Sequence, residues 1–200
     1  MKCIELSLKK LNEECKHWAG DIENFFHPEL IIYIANAGYP IGKAMQEVFK
    51  VPMIGIEAKR EGSEVKSKLG KIFSHIPSWV RNVLIYVELK SGVHKKKTER
   101  HIGWLDDYMP YQGITKILVV DDSIDTGHTI KQVQEEIRDK FCDADIRIAG
   151  LNVWDSSKDI IGTDFELYSN TIIKAPMSKD SKEYDEYMKM IQEVRKEETN

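Results

Sequence analysis

The sequence predicts an α/β fold, a central and mainly parallel β-sheet flanked by helices. Three observations predict it. Short apolar runs alternate along the chain with stretches of helical periodicity, as βαβ units require. The runs are apolar at consecutive positions, the pattern of strands covered on both faces. An acidic, glycine-containing segment directly follows the clearest run, at the sheet edge where open α/β proteins bind ligands.

An opening helix is expected over about Leu6–Gly20, where Leu8, Leu11, Cys15 and Trp18 share one face. Glu29–Ala35 (ELIIYIA) reads as the first buried strand and Asn36-Ala37-Gly38 as a turn. The helix Pro40–Lys50 follows, with Ile41, Ala44, Met45 and Val48 inward. Pro40 suits a first turn because its missing N–H has no intrahelical use there. Val51–Ala58, Ile117–Val120 and Ile146–Val153 are further strands, and His128–Lys140 is a helix carrying Ile130, Val133 and Ile137 inward. Phe165–Ile173 is a weaker strand, and the tail Lys182–Glu198 reads as a charged, solvated helix.

The 200 residues are 42% hydrophobic and 31% charged, as in one ordinary soluble globular domain spanning 1–200. A net charge of -4 argues against general nucleic-acid binding. Cys3, Cys15 and Cys142 stand far apart with no metal-ligand spacing and read as reduced packing thiols of a cytoplasmic protein. Neither a secretory signal nor a long apolar span is expected from the sequence.

One segment differs from the rest. Residues 62–101 carry nine Lys or Arg against three Glu, a net of +6, and three of the six histidines. Val65, Leu69, Ile72, Phe73 and Ile76 fall at helical spacing. Pro77 breaks that pattern, and Ser78 starts a second one with Trp79, Val80, Val83, Leu84 and Val87. The reading is a helical basic insertion within an acidic domain.

The chemistry concentrates in Asp121-Asp122-Ser123-Ile124-Asp125-Thr126-Gly127-His128-Thr129. Thr126–Thr129 opens a helix whose first N–H groups lack intrahelical partners, at the positive end of the helix dipole, so a phosphate is favoured there. Gly127 allows close backbone approach, and the threonine hydroxyls add donors. The carboxylates Asp121 and Asp122 suit vicinal sugar hydroxyls, with Mg2+ moderating the charge conflict. Trp104-Leu105-Asp106-Asp107-Tyr108 also holds adjacent acids. It lacks a preceding apolar strand and a glycine turn, so it reads as a capped helix or loop.

ILVVDDSIDTGHT resembles the signature of type I phosphoribosyltransferases, which bind 5-phosphoribosyl-1-pyrophosphate (PRPP). The resemblance implies the type I phosphoribosyltransferase fold with a small hood. It also implies that Asp121 and Asp122 hold the ribose hydroxyls, and that Asp125, Thr126, Gly127, His128 and Thr129 surround the 5-phosphate. Asp125 matches the general base of 6-oxopurine enzymes in this family. His128, where relatives often carry Lys or Gly, reads as a solvent-facing residue. Mg2+ is expected to arrive through PRPP, with Asp121 and Asp122 the candidate protein contacts.

Ala35-Asn36-Ala37-Gly38-Tyr39-Pro40 resembles the family's pyrophosphate loop, which uses backbone N–H groups and often a strained peptide bond. Asn36, Ala37 and Gly38 are thus pyrophosphate candidates, but the loop's usual basic side chain is missing. Lys59 and Arg60 are the residues read as compensating for it.

The acceptor is less legible. Thr171-Ile172-Ile173-Lys174-Ala175-Pro176-Met177 stands where purine-type relatives carry hood tryptophans, and both are replaced here. Tyr168 or Trp154 offers an alternative ring. The insertion loosely resembles bacterial surface-glycan phosphoribosyltransferases, and Lys95-Lys96-Lys97 would suit anionic lipid. The sequence therefore leans toward a sugar hydroxyl of a lipid-linked glycan, used at the inner face of the membrane. A purine base in nucleotide salvage is the alternative, and a non-catalytic PRPP sensor the third reading. The insertion can equally be an elaborated hood or a homodimer contact.

Overall fold

A computed structural model describes residues 3–60 and 100–197. The chain divides into two compact units, residues 1–58 with 102–200, and residues 59–101. The expected helical basic insertion therefore lies outside the described residues, except for Arg100 and His101 at its end.

The elements run β1 (Cys3–Glu5), α1 (Leu8–Glu23), β2 (Leu30–Ile34), α2 (Tyr39–Phe49), β3 (Met53–Arg60), β4 (Arg100–Trp104), β5 (Lys116–Ile124), α3 (His128–Lys140), β6 (Asp145–Val153), β7 (Phe165–Ser169), β8 (Ile172–Lys174) and α4 (Tyr184–Glu197). Among the described residues six strands form the main sheet, in the order β4-β3-β2-β5-β6-β7. β3, β2, β5, β6 and β7 pair in parallel, as the apolar runs imply.

Strand alternation sorts the core onto two faces. Leu30, Ile32 and Ile34 of β2 and Ile117 and Val119 of β5 pack with Ile130, Val133 and Ile137 of α3. Ile31, Leu118 and Val120 face the other way, toward Leu11, Cys15 and Trp18 of α1 and Ile41, Ala44 and Met45 of α2. All five residues of β2 are buried, so this strand carries no polar face. Each aliphatic side chain buried here stabilises by roughly 1.5–3 kcal/mol. Burial also pushes the thiol of Cys15 up to about 12, so it behaves as a packing residue.

The elements differ from the sequence reading at three places. The first helix starts two residues late because Ser7 caps it, accepting from the Lys10 N–H at 3.1 Å. The expected strand Phe165–Ile173 is two strands. Asn170 turns the chain with a φ of 48°, and β8 then pairs with β1 in a separate two-stranded sheet. The third concerns β5, which does not stop at Val120 but continues in register through Asp121↔Gly150, Ser123↔Asn152 and Ile124↔Val153. Among the described residues no helix is long and apolar enough to cross a membrane.

Candidate active site

β2 and β5 are neighbours in the sheet, but their onward connections diverge. β2 leads through α2 to β3 on one side, and β5 leads through α3 to β6 on the other. The carboxyl ends of β2 and β5 therefore flank the switch point, where such sheets leave a crevice. The turn 35–38 and the acidic segment 121–129 both emerge there.

The two segments approach backbone to backbone. A Cβ on Gly38 would stand 2.8 Å from the Val120 carbonyl oxygen and 2.6 Å from that of Ile34, so no larger residue fits. The Ala35–Asn36 peptide bond is cis. Gly38 donates its N–H to Ile34 at 2.9 Å. The N–H groups of Asn36 and Ala37 have no hydrogen-bond acceptor among the described residues.

Asp121 is buried within β5 and accepts the Asp122 N–H at 3.0 Å. Burial, followed by the neighbouring charge of Asp122, drives its carboxyl well above the usual carboxylate range. Asp122 is also raised by burial, and a hydrogen bond from Asp121 offsets part of that rise. Two adjacent carboxyls in such a place are short of positive charge and of donors, which is what a bound diol and cation supply. Among the described residues no group of three or more His, Cys, Asp or Glu side chains could hold a metal ion. Asp121 and Asp122 are the carboxylates that would border a Mg2+ ion bound together with a ligand.

Asp125 lies just beyond the strand, exposed, with its position set at both ends. Its carboxylate accepts the Ser123 hydroxyl at 2.6 Å, and its carbonyl accepts the Ser156 hydroxyl at 2.5 Å. Gly127 then turns the chain with a φ of 76° and caps α3 without a side-chain hydrogen bond. A Cβ there would meet Ile161 at 2.7 Å and the Ser157 carbonyl at 3.2 Å. The N–H groups of Thr126, Gly127, His128 and Thr129 have no acceptor among the described residues, which leaves a donor-lined cradle for an anion. His128 is exposed in the first turn.

A cleft of about 270 Å³ opens beside Asp122, Ser123 and Asp125, with Leu151, Trp154, Ile172 and Ile173 among its walls. Asn152 is buried at its base and cross-links Thr171, donating to its carbonyl at 2.9 Å and accepting its N–H at 3.3 Å. Tyr168 is turned away from this role, since its hydroxyl donates to Glu14 of α1.

Lys59 and Arg60 end β3 and belong to the second unit, and Lys59 is exposed. Asp106, read as part of a loop, accepts the Gly55 N–H at 2.5 Å and so braces β3. The tail helix brings two residues that the sequence reading passed over. Tyr187 is buried, and burial together with the Asp122 charge pushes its hydroxyl up to about 12. Arg195 donates to the Asn36 side chain at 2.5 Å. The signal was present in the spacing: Tyr187, Ile191 and Arg195 follow at four-residue steps on one helix face.

Among curated proteins no relative is found. Solved structures share the fold. A purine phosphoribosyltransferase from Pyrococcus horikoshii matches with a TM-score of 0.61 at 17% identity, over 90% of this chain and 97% of that one. A xanthine-guanine-hypoxanthine phosphoribosyltransferase from Helicobacter pylori matches with a TM-score of 0.63 at 16% identity, over 92% and 99%. A hypothetical protein from Neisseria gonorrhoeae, crystallised with bound ppGpp, matches with a TM-score of 0.56 at 14% identity, over 96% and 97%. The profile of the phosphoribosyl transferase domain spans residues 6–151, which takes in both the turn 35–38 and the segment 121–129. The chain therefore belongs to the phosphoribosyl transferase domain family, and its reaction class is PRPP-dependent phosphoribosyl transfer.

Proposed function

We propose that this protein transfers ribose 5-phosphate from PRPP to a purine-type base and releases pyrophosphate. The observation that carries the choice of acceptor is the cleft beside Asp125, whose walls are mostly apolar and include Trp154. A flat heterocycle suits such a slot, with the indole as a stacking surface. The purine-specific names of the Pyrococcus and Helicobacter structures support the same reading.

In this reading the N–H cradle of Thr126–Thr129 holds the 5-phosphate, with Asp125 bordering it. Asp121 and Asp122 accept the ribose 2- and 3-hydroxyls. Asn36, Ala37 and Gly38 present backbone to the pyrophosphate. Mg2+, bound with PRPP and bordered by Asp121 and Asp122, supplies charge neutralisation to the departing pyrophosphate. As the bond from the anomeric carbon to the pyrophosphate oxygen breaks, a bond from that carbon to a ring nitrogen forms with inversion. The proton leaving that nitrogen passes to the Asp125 carboxylate, which the Ser123 hydroxyl orients.

A second reading keeps the donor chemistry and changes the acceptor to a sugar hydroxyl of a lipid-linked glycan at a membrane surface. The net +6 charge of residues 62–101 favours it. An acceptor screen separates the readings. Full-length protein, Mg2+ and PRPP are offered hypoxanthine, guanine, xanthine or synthetic lipid-linked oligosaccharides, and pyrophosphate release is read. Turnover with a purine alone supports the base. Turnover with glycan alone, together with co-sedimentation on anionic liposomes, sinks it in favour of the second reading. PRPP binding with no turnover on any acceptor leaves a sensor.

A further inference from the structure

We infer that Arg195, on the tail helix α4, is a pyrophosphate-binding residue that supplies the positive charge missing from the turn 35–38. The turn has open backbone donors at Asn36 and Ala37 but no cationic side chain of its own. Pyrophosphate carries several negative charges, and N–H dipoles alone stabilise it less than a charge-assisted hydrogen bond does. Arg195 is an exposed residue that arrives from far along the chain and donates to the Asn36 side chain at 2.5 Å. A planar fork of five donors can hold the Asn36 amide oxygen and phosphate oxygens together.

The helix is seated for this purpose by its inner face. Tyr187 and Ile191 are buried. Ile191 and Val194 line, with Tyr33, Ala35 and Tyr39, a small crevice that also touches Asn36 and Arg195. The lead-in to the helix is tied down where Glu183 accepts the Leu8 N–H at 2.5 Å. Arg195 lies beyond the segment 6–151 that marks the family, so the donor site is completed by chain outside the matched domain.

The inference rests on the PRPP reading and is tested apart from it. Equilibrium binding of Mg2+-pyrophosphate and of ribose 5-phosphate is measured separately on full-length wild type, Arg195→Gln, Arg195→Lys and Lys196→Gln. Arg195→Gln is expected to weaken pyrophosphate by about 10- to 100-fold, the worth of a hydrogen bond to a charged group. Ribose 5-phosphate binding stays unchanged in the same variant, which also shows that the fold is intact. Arg195→Lys recovers part of the loss, and Lys196→Gln, an equal charge change one residue away, has little effect.

Equal pyrophosphate binding by Arg195→Gln and wild type overturns the inference, as does tighter binding, which would make the arginine a competitor. Equal losses in Lys196→Gln and Arg195→Gln overturn it too, because the effect would then be general electrostatics. If wild type binds neither ligand, the PRPP reading itself fails and takes the inference with it.

Discussion

Gly38 and Val120 meet backbone to backbone where the first two parallel strands of the switch point end, and a Cβ on Gly38 would lie 2.8 Å from the Val120 carbonyl oxygen. The obstructing atoms are main-chain oxygens of buried strands, which cannot swing aside as a side chain would. Gly38→Ala is therefore expected to push the turn 35–38 away from β5. Overpacking of this kind costs about 1–3 kcal/mol. The loss should appear as a lower Tm together with a raised KM for PRPP. A variant with wild-type Tm and KM would show that the contact yields freely.

Asp121 makes a prediction in which stability and function part company. Its folded-state pKa lies above the ordinary value, chiefly through burial. A raised carboxyl contributes stability that is fully present below its unfolded pKa and is lost as pH rises through the folded one. The ligand-free protein should thus lose stability from mildly acidic pH upward. Asp121→Asn should remove that component and raise the Tm near neutral pH while abolishing PRPP binding. Each 1 kcal/mol relieved corresponds to about 2–4 °C in a chain of this size. Thermal scans across pH, with and without Mg2+-PRPP, check the sign. A lower Tm for Asp121→Asn would contradict it.

Asp125 should affect turnover more than donor binding. Asp125→Asn is expected to lower kcat by at least ~100-fold, the usual contribution of a positioned general base, with KM for PRPP little changed. Ser123→Ala removes the 2.6 Å hydrogen bond that orients the carboxylate. It should cost roughly 3- to 10-fold, the worth of about 0.6–1.4 kcal/mol for a solvent-exposed hydrogen bond. Untouched turnover in Asp125→Asn would end its assignment as the base.

Trp154 discriminates the acceptor. Stacking of a base on an aromatic side chain contributes about 1–3 kcal/mol. Trp154→Ala should therefore raise KM for a purine roughly tenfold or more while leaving KM for PRPP alone, and Trp154→Phe should recover most of the loss. If both variants use the purine like wild type, the base does not stack there.

The sequence by itself determined the parallel sheet, because runs such as Leu30–Ile34 and Ile117–Val120 are apolar at every position and so need cover on both faces. It also marked the segment Asp121–Thr129, whose pattern is local: adjacent acids, a glycine turn and a helix start lie within nine residues. What it left undecided depends on contacts between distant positions. No local pattern says that β5 keeps its pairing through Asp121 to Ile124, since that follows from the partner residues Gly150, Asn152 and Val153 on β6. The tail had the composition of a solvated helix, yet Tyr187 and Ile191 are buried and Arg195 reaches Asn36, 159 residues away in sequence. Hydrogen bonding and desolvation across such distances are set by how the chain closes on itself, and only the tertiary structure decided them.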